Sequence, residues 1–158
     1  MQIQILCVGR IKDRYLNEGI AEFAKRLKPH AAVFVTELSE VRLPEDARQS
    51  EKMQVKERDG WRILAGVKPG FITIALDPCA PLIASEGIAV LFGEAKLAGR
   101  NICFIIGGSL GLSPQVLLAA DRKVSFSRLT FPHAMVRLLL FEQIYRGFQI
   151  LRGKPYHK

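Results

Sequence analysis

The sequence predicts an α/β fold in which a mostly parallel sheet is covered by helices on both faces. Short apolar segments alternate along the whole chain with longer segments whose apolar residues recur at helical spacing. No internal repeat, low-complexity stretch or interdomain linker interrupts this alternation. Residues 1–158 are therefore predicted to form one domain.

Five segments are predicted to be strands. Each is short, rich in apolar residues and bounded by glycine, proline or polar residues, which is typical of strands that lie inside an α/β layer. The first closes at Gly9, and the fourth is wholly apolar before it breaks into glycines. In chain order the predicted strands are residues 3–8, Ala32–Leu38, 71–76, Ile102–Ile106 and 123–126.

Two helices are predicted in the first half of the chain. Residues 15–27 place apolar side chains on one helical face, and Pro29 ends that helix. Residues 44–64 are mostly polar until Trp61. A helix with so few large apolar residues is predicted to lie largely exposed on the surface.

Three more helices are predicted in the second half. Ser85 is the expected N-cap of a helix over Ser85–Leu97, and Ser113-Pro114 supplies an N-cap and a first-turn proline to a short helix. The last helix, residues 134–151, is apolar on nearly every side. Such a helix must be buried on most faces, so we expect it to pack on its own sheet and on a second copy in a homodimer.

The net charge of +8 is concentrated in the last quarter of the chain. Residues 1–121 hold 15 basic and 14 acidic side chains, while residues 122–158 hold eight basic residues against the single acid Glu142. Attraction to phosphates supplies most non-specific affinity for nucleic acids, so this excess predicts a polyanionic partner such as RNA. A solvated basic tail is the alternative.

Several classes of function are disfavoured by the sequence. No apolar run approaches the ~20 residues that span a bilayer, and the first residues lack the pattern of a signal peptide. Cys7, Cys79 and Cys103 form no C-x-x-C pair, and the histidines show no metal-ligand spacing. We therefore expect a reduced, cytoplasmic protein that binds neither a membrane nor a metal.

Two loops predict a pocket for a small molecule. Residues 107–111 contain three glycines directly after the strand Ile102–Ile106, and a double glycine exposes backbone groups to a flat ligand such as adenine. Their spacing fits neither a dinucleotide fingerprint nor a P-loop, and a tight turn is the alternative explanation. Residues 130–132 form a proline-fixed turn. Because ligands bind at strand carboxyl ends, both loops and Leu76-Asp77 are expected to line one pocket.

A few polar side chains are candidates for chemistry. Arg137 lies inside the apolar last helix and needs a partner, which is a carboxylate across the dimer interface, a ligand carboxylate or a phosphate. His133 is predicted to cap that helix rather than to act as a base. Tyr156 and His157 lie in a lysine-flanked tail and are suited to stack on a base and to move a proton.

The whole chain resembles the RlmH family of ribosomal RNA methyltransferases, which belongs to the SPOUT class. Each shared motif is weak alone, but together they run from end to end at nearly constant length. The resembling residues are 5–9, Leu76-Asp77, 104–112, 129–133, Arg137, 142–146 and 155–158.

The resemblance implies a SPOUT-type α/β domain with a C-terminal trefoil knot, a homodimer and S-adenosylmethionine (SAM) as methyl donor. It further implies methylation of N3 of a pseudouridine in 23S ribosomal RNA, on assembled ribosomes. The partner subunit's tail would help to close the active site, so His157 and Tyr156, with Arg137, become the candidate catalytic residues. The implied cofactor-binding residues are Leu76, Gly108, Ser127, Arg128, Leu129, Thr130, Phe131 and Pro132.

One loop departs from the family pattern. Family members have Gly-Lys shortly after the third strand, where this chain has Ala80-Pro81. The substitution stiffens the loop and removes a positive charge, so RNA docking there is expected to be altered or weaker. This departure supports an alternative function, a non-catalytic ribosome- or RNA-binding protein that retains the fold.

Overall fold

Five parallel strands form one sheet in the order β2-β1-β4-β3-β5 in a computed structural model of the chain. The structure describes residues 1–41, 43–154 and 156. The predicted α/β class with a parallel sheet is confirmed, and the trefoil knot stays a prediction. The strands are β1 (Gln2–Val8), β2 (Ala32–Leu38), β3 (Ile72–Leu76), β4 (Ile102–Ile106) and β5 (Arg122–Val124). The helices are α1 (Arg14–Leu27), α2 (Gln49–Gly66), α3 (Ser85–Leu97), α4 (Pro114–Ala119) and α5 (His133–Leu151).

Helices cover both faces of the sheet because the strands present apolar side chains on both sides. Along β1, Ile3 and Ile5 belong to a core that also contains α1, α3 and α5 residues. Leu6 and Val8 belong to a second core with residues of α2 and α4. Successive side chains of a strand point to opposite faces, so this central strand supports a three-layer packing.

The start of α2 and the end of β5 differ from the sequence prediction by more than one residue. Helix α2 begins at Gln49 rather than at residue 44, because the Glu51 carboxylate accepts a hydrogen bond from the Arg48 backbone N–H at 2.7 Å and closes the first turn there. Strand β5 ends at Val124 rather than at residue 126. The next residue, Ser125, leaves the sheet register and donates its N–H to the Pro81 carbonyl at 2.8 Å.

Helix α5 is covered largely by its own chain. It packs against both α1 and α3, and none of its residues from His133 to Ile150 is fully exposed. Leu140, Phe141 and Ile144 are buried between these helices and the sheet. The all-round apolar character of α5 therefore has a cause within one chain, and it does not by itself require a second copy. None of the described helices is long and apolar enough to cross a membrane.

Candidate cofactor pocket and active site

A pocket of about 590 Å³ opens at the carboxyl ends of β3, β4 and β5. This volume lies in the range of small-molecule sites, and the position is the one expected for ligands of parallel α/β sheets. Both loops predicted from the sequence line it, as does Leu76-Asp77. The further lining residues include Ile106, Leu112, Val124, Phe126 and Val136, so most of the wall is apolar.

The glycine loop is shaped by close backbone approach. A Cβ atom on Gly107 would lie 2.7 Å from the Gly111 carbonyl carbon, so only glycine fits there without movement of the backbone. Gly111 has a φ of +74° and donates its N–H to the Gly108 carbonyl at 3.0 Å. The loop is therefore both a tight turn and a wall of the pocket, so the two explanations that the sequence left open both apply.

The opposite wall is a loop held by its own hydrogen bonds. The Ser125 hydroxyl donates to the Ser127 carbonyl at 2.8 Å, and the Leu129 backbone N–H donates to the Ser127 hydroxyl at 2.9 Å. These bonds fix residues 125–129 before the turn that ends at Pro132. A pre-ordered loop of this kind reduces the entropy that ligand binding would otherwise cost.

Seven of the eight cofactor-binding candidates line this pocket. They are Leu76, Gly108, Ser127, Leu129, Thr130, Phe131 and Pro132. Arg128 does not: its guanidinium Nη1 donates to the carbonyl oxygens of Pro78 and Ala80 at 3.2 and 3.0 Å. Arg128 thus fastens the Ala80-Pro81 loop to the rim of the pocket from outside.

Arg137 is buried, with 3% of its surface exposed, and does not line the pocket. It donates hydrogen bonds to the Glu37 carboxylate and to the Gly9 carbonyl, the latter at 2.9 Å. Its partner is therefore a carboxylate of the same chain, and not the carboxylate across a dimer interface, the ligand carboxylate or the phosphate that the sequence predicted. Its Nε atom is buried without a hydrogen-bond partner among the described residues.

Tyr156 lies on the side of α5, away from the pocket of its own subunit. Its ring packs edge-on against Tyr145 with centroids 5.0 Å apart, and the Arg146 guanidinium lies 4.9 Å from its centroid. Val136 is the last pocket residue along α5, so these contacts lie roughly 13–15 Å farther along the helix axis. His157 lies outside the described residues.

His133 lines the pocket and Glu40 contacts its glycine loop, and the sequence predicted neither position. His133 lines the pocket and is, with Asp77, one of two titratable side chains among its described lining residues. A Cβ atom on Gly9 would lie 3.1 Å from His133 Nε2 and 3.4 Å from a Glu40 carboxylate oxygen. Glu40 also accepts the Ser109 N–H at 3.0 Å. The only sequence signal for Glu40 is that it follows the carboxyl end of β2.

Three arginines of the basic segment 122–158 are paired with acids of the same chain. Arg137 is buried with Glu37, Arg146 is paired with Glu142 at 2.6 Å, and Arg122 lies 4.0 Å from Glu94. Arg128 is the member that lies at the pocket rim. The described residues contain no group of three or more His, Cys, Asp or Glu side chains that could hold a metal ion.

Together, the parallel sheet and the glycine-framed pocket at its strand ends define an α/β protein of the class that binds a small cofactor at this edge. The chain belongs to the SPOUT methyltransferase family, because the family model described as "Predicted SPOUT methyltransferase" matches residues 1–157. The membership inferred from the motifs is confirmed.

Relatives of this family match the chain over its whole length. It is 56% identical over 158 residues to a protein of Methanocorpusculum labreanum, provisionally named ribosomal RNA large subunit methyltransferase H, with all of both chains covered. It is 50% identical over 159 residues to the ribosomal RNA large subunit methyltransferase H of Carboxydothermus hydrogenoformans, again with full coverage. A methylase family structure from Neisseria gonorrhoeae has a TM-score of 0.52 at 17% identity, covering 90% of this chain and 81% of that one. This last similarity concerns the fold alone.

Proposed function

We propose that the protein is a ribosomal RNA methyltransferase that uses SAM to methylate N3 of a pseudouridine in the large-subunit RNA of assembled ribosomes. The observation that supports this most is the pre-ordered apolar pocket, in which Gly107 and Gly108 expose backbone beside the turn of residues 130–132. The full-length relatives named ribosomal RNA large subunit methyltransferase H support the same reaction and substrate.

The residues of the pocket suit an adenosine-bearing cofactor. Thr130 and Phe131 offer backbone groups to an adenine edge, while Leu76, Leu129 and Leu112 supply apolar surface for its faces. When bound, SAM supplies a methyl group already activated on a sulfonium. The protein's tasks are then to hold this group in line with the target nitrogen and to accept the imide proton.

We assign proton acceptance to His133 in preference to the tail. His133 lines the pocket of its own chain, and its Nε2 and a Glu40 carboxylate oxygen both lie within 3.4 Å of the point where a Cβ atom on Gly9 would stand. His133 would accept the N3 proton of the target base, which would leave the N3 electron pair free for the methyl group that bound SAM would supply. Arg137 acts as a positioning residue, because its contacts with Glu37 and Gly9 fix the chain beside His133.

The tail is proposed to act across a homodimer. Tyr156 lies too far along α5 to reach the pocket of its own subunit, so a catalytic role for the tail requires a second subunit. Both the dimer and the crossing of the tail rest on the resemblance to the RlmH family. The expected location is the cytoplasm, where assembled ribosomes are found.

Transfer of labelled methyl from SAM to ribosomes that lack the modification tests the proposal. Label on N3 of a large-subunit pseudouridine is the expected result. Ribosomes that already carry the modification are the matched control and should accept no label. The alternative, a non-catalytic RNA-binding protein, is not favoured by the relatives' names, and it would be supported only by ribosome binding without methyl transfer.

A further inference from the structure

The rim of the pocket exposes two apolar side chains together with a cation. We define the pocket rim as Leu82, Arg128 and Leu129. Leu82 is 55% exposed and Leu129 is 70% exposed, although leucines elsewhere in the two cores are buried. Exposed apolar side chains that cluster around a cation beside a ligand pocket are typical of an interaction surface.

The rim is held rigidly by contacts between two segments. Leu82 pairs with Ser125 in an isolated parallel bridge, and the Ile83 N–H donates to the Ser125 carbonyl at 3.0 Å. Arg128 then spans from one segment to the other through its two hydrogen bonds with the carbonyls of Pro78 and Ala80. The backbone at Leu82 and the guanidinium of Arg128 are therefore positioned before any partner arrives.

The charge of Arg128 is not neutralised by the described part of the chain. Seven other arginines form ion pairs with carboxylates. Arg128 forms none within residues 1–41, 43–154 and 156, and both of its hydrogen bonds use Nη1 and uncharged carbonyls. A guanidinium has five donors, so Nε and Nη2 remain to bind an oxyanion.

We propose that the pocket rim docks the RNA strand beside the target nucleotide, with Arg128 on a backbone phosphate and Leu82 against a neighbouring base or ribose. This inference rests on the proposed function. A target base that enters the pocket brings its flanking phosphates to the rim, so a fixed, unpaired guanidinium there meets a charge of opposite sign. Arg128 thereby supplies a positive charge at the Ala80-Pro81 loop.

Salt-dependent binding to unmodified large ribosomal subunits tests the role of Arg128. Arg128→Gln should weaken binding about tenfold. The fall of log K with log salt should become less steep by about 0.7 to 0.9, which is the value for one lost phosphate contact. Arg128→Lys should retain the slope. KM should rise with kcat unchanged, and the Kd for SAM should not change. The matched control is Arg122→Gln, at the start of β5 beside a different cavity, which should leave the slope intact.

Leu82→Ala tests the apolar part of the rim separately. It should weaken binding to the subunits without changing the salt slope, because no charge is lost. Leu97→Ala is the control, since Leu97 is 91% exposed at the end of α3, where the chain turns toward the start of β4.

Three outcomes would overturn the inference. An unchanged salt slope in Arg128→Gln removes the phosphate contact, a weaker Kd for SAM assigns Arg128 to the cofactor, and a fall in mass by light scattering assigns the rim to an interface between copies. Wild-type protein that neither binds nor methylates ribosomes would instead reject the proposed function itself, and with it this inference.

Discussion

Arg137 and Glu37 form an ion pair across 100 positions of sequence, at the point where β1, β2 and α5 meet. The Arg137 guanidinium is buried, whereas the Glu37 side chain is 34% exposed. A second hydrogen bond from Arg137 to the Gly9 carbonyl ties the turn after β1 to the same helix. The pair therefore fixes the position of His133, which lies one turn earlier on α5.

Removal of Arg137 should destabilise the fold. Arg137→Ala leaves the Gly9 carbonyl without its donor and leaves Glu37 with only the exposed Arg10, 3.9 Å away, at a cost of about 3 kcal/mol in the free energy of unfolding. Arg14→Ala, which breaks a pair between side chains that are 92% and 62% exposed, should cost no more than about 0.5 kcal/mol. Urea denaturation of both variants measures the difference. Equal costs would show that the buried pair has no special structural role.

A methyl group at Gly107 should abolish cofactor binding. Gly107→Ala places Cβ 2.7 Å from the Gly111 carbonyl carbon, so the backbone of the pocket wall must move. We expect no measurable binding of SAM by titration calorimetry, with the fold retained. Gly93→Ala is the control, because its Cβ would lie 3.7 Å from Leu151, an ordinary contact, and alanine favours the helix by about 1 kcal/mol. Unchanged binding in Gly107→Ala would place the cofactor elsewhere.

Loss of the proposed proton acceptor should slow the chemical step. His133→Gln should lower the single-turnover rate of methyl transfer by about 10²- to 10⁴-fold while the Kd for SAM is unchanged. The deficit should shrink as pH rises, because the substrate imide then loses its proton to water. Asp77→Asn is the control: it retains the acceptor for the Cys79 N–H and should leave the rate unchanged. A deficit that is constant with pH would indicate a purely structural role for His133.

The sequence predicted elements well where a strong apolar pattern was bounded by local stop signals. Ala32–Leu38, Ser85–Leu97 and Ile102–Ile106 have the predicted bounds. The N-cap of the helix Ser85–Leu97 was predicted wrongly: it is Ala84, and the Ser85 hydroxyl donates instead to the Gln143 side chain at 2.7 Å. The predicted start of α2 was wrong, because the hydrogen bond from the Arg48 N–H to the Glu51 carboxylate closes the first turn at Gln49 and not at residue 44.

The site was predicted less completely than the fold. The glycine and proline loops were predicted because the residue type itself indicates which backbone conformations glycine and proline allow. Residue type does not indicate the direction of a side chain. Arg128 turns outward to two carbonyls, and His133 faces the pocket beside Glu40, a residue 93 positions away. Such contacts depend on how distant strands end side by side, which no local pattern records.

Two buried thiols should make the fold sensitive to alkali. Burial raises the pKa of Cys7 to about 11 and that of Cys103 to about 12, from an ordinary value of 9.0. A pKa raised in the folded state gives stability that is full below pH 9.0 and is lost as pH rises through 11 and 12.

Urea midpoints at pH 8 and pH 10 measure this loss. The loss of unfolding free energy between the two should be smaller in Cys7→Ala and Cys103→Ala than in the wild type, by about 1.4 kcal/mol for each thiol, because only the interval above pH 9.0 contributes. Cys79→Ser should change nothing, because that thiol is exposed. Identical decreases in all four proteins would show that other groups cause the alkaline instability.

Mixed dimers should reveal whether the tail serves the partner's pocket. Tyr156 packs on Tyr145 and Arg146 of its own α5, so Tyr156→Ala should spare SAM binding and reduce methyl transfer. Gly107→Ala should remove the pocket but leave the tail intact. If one subunit supplies the cofactor and the other the tail, a mixture of the two inactive variants regains up to half of the activity in each heterodimer, because one of its two composite sites is complete. A mixture that stays inactive, although heterodimers form, would confine each active site to one chain and leave Tyr156 only its packing role on α5.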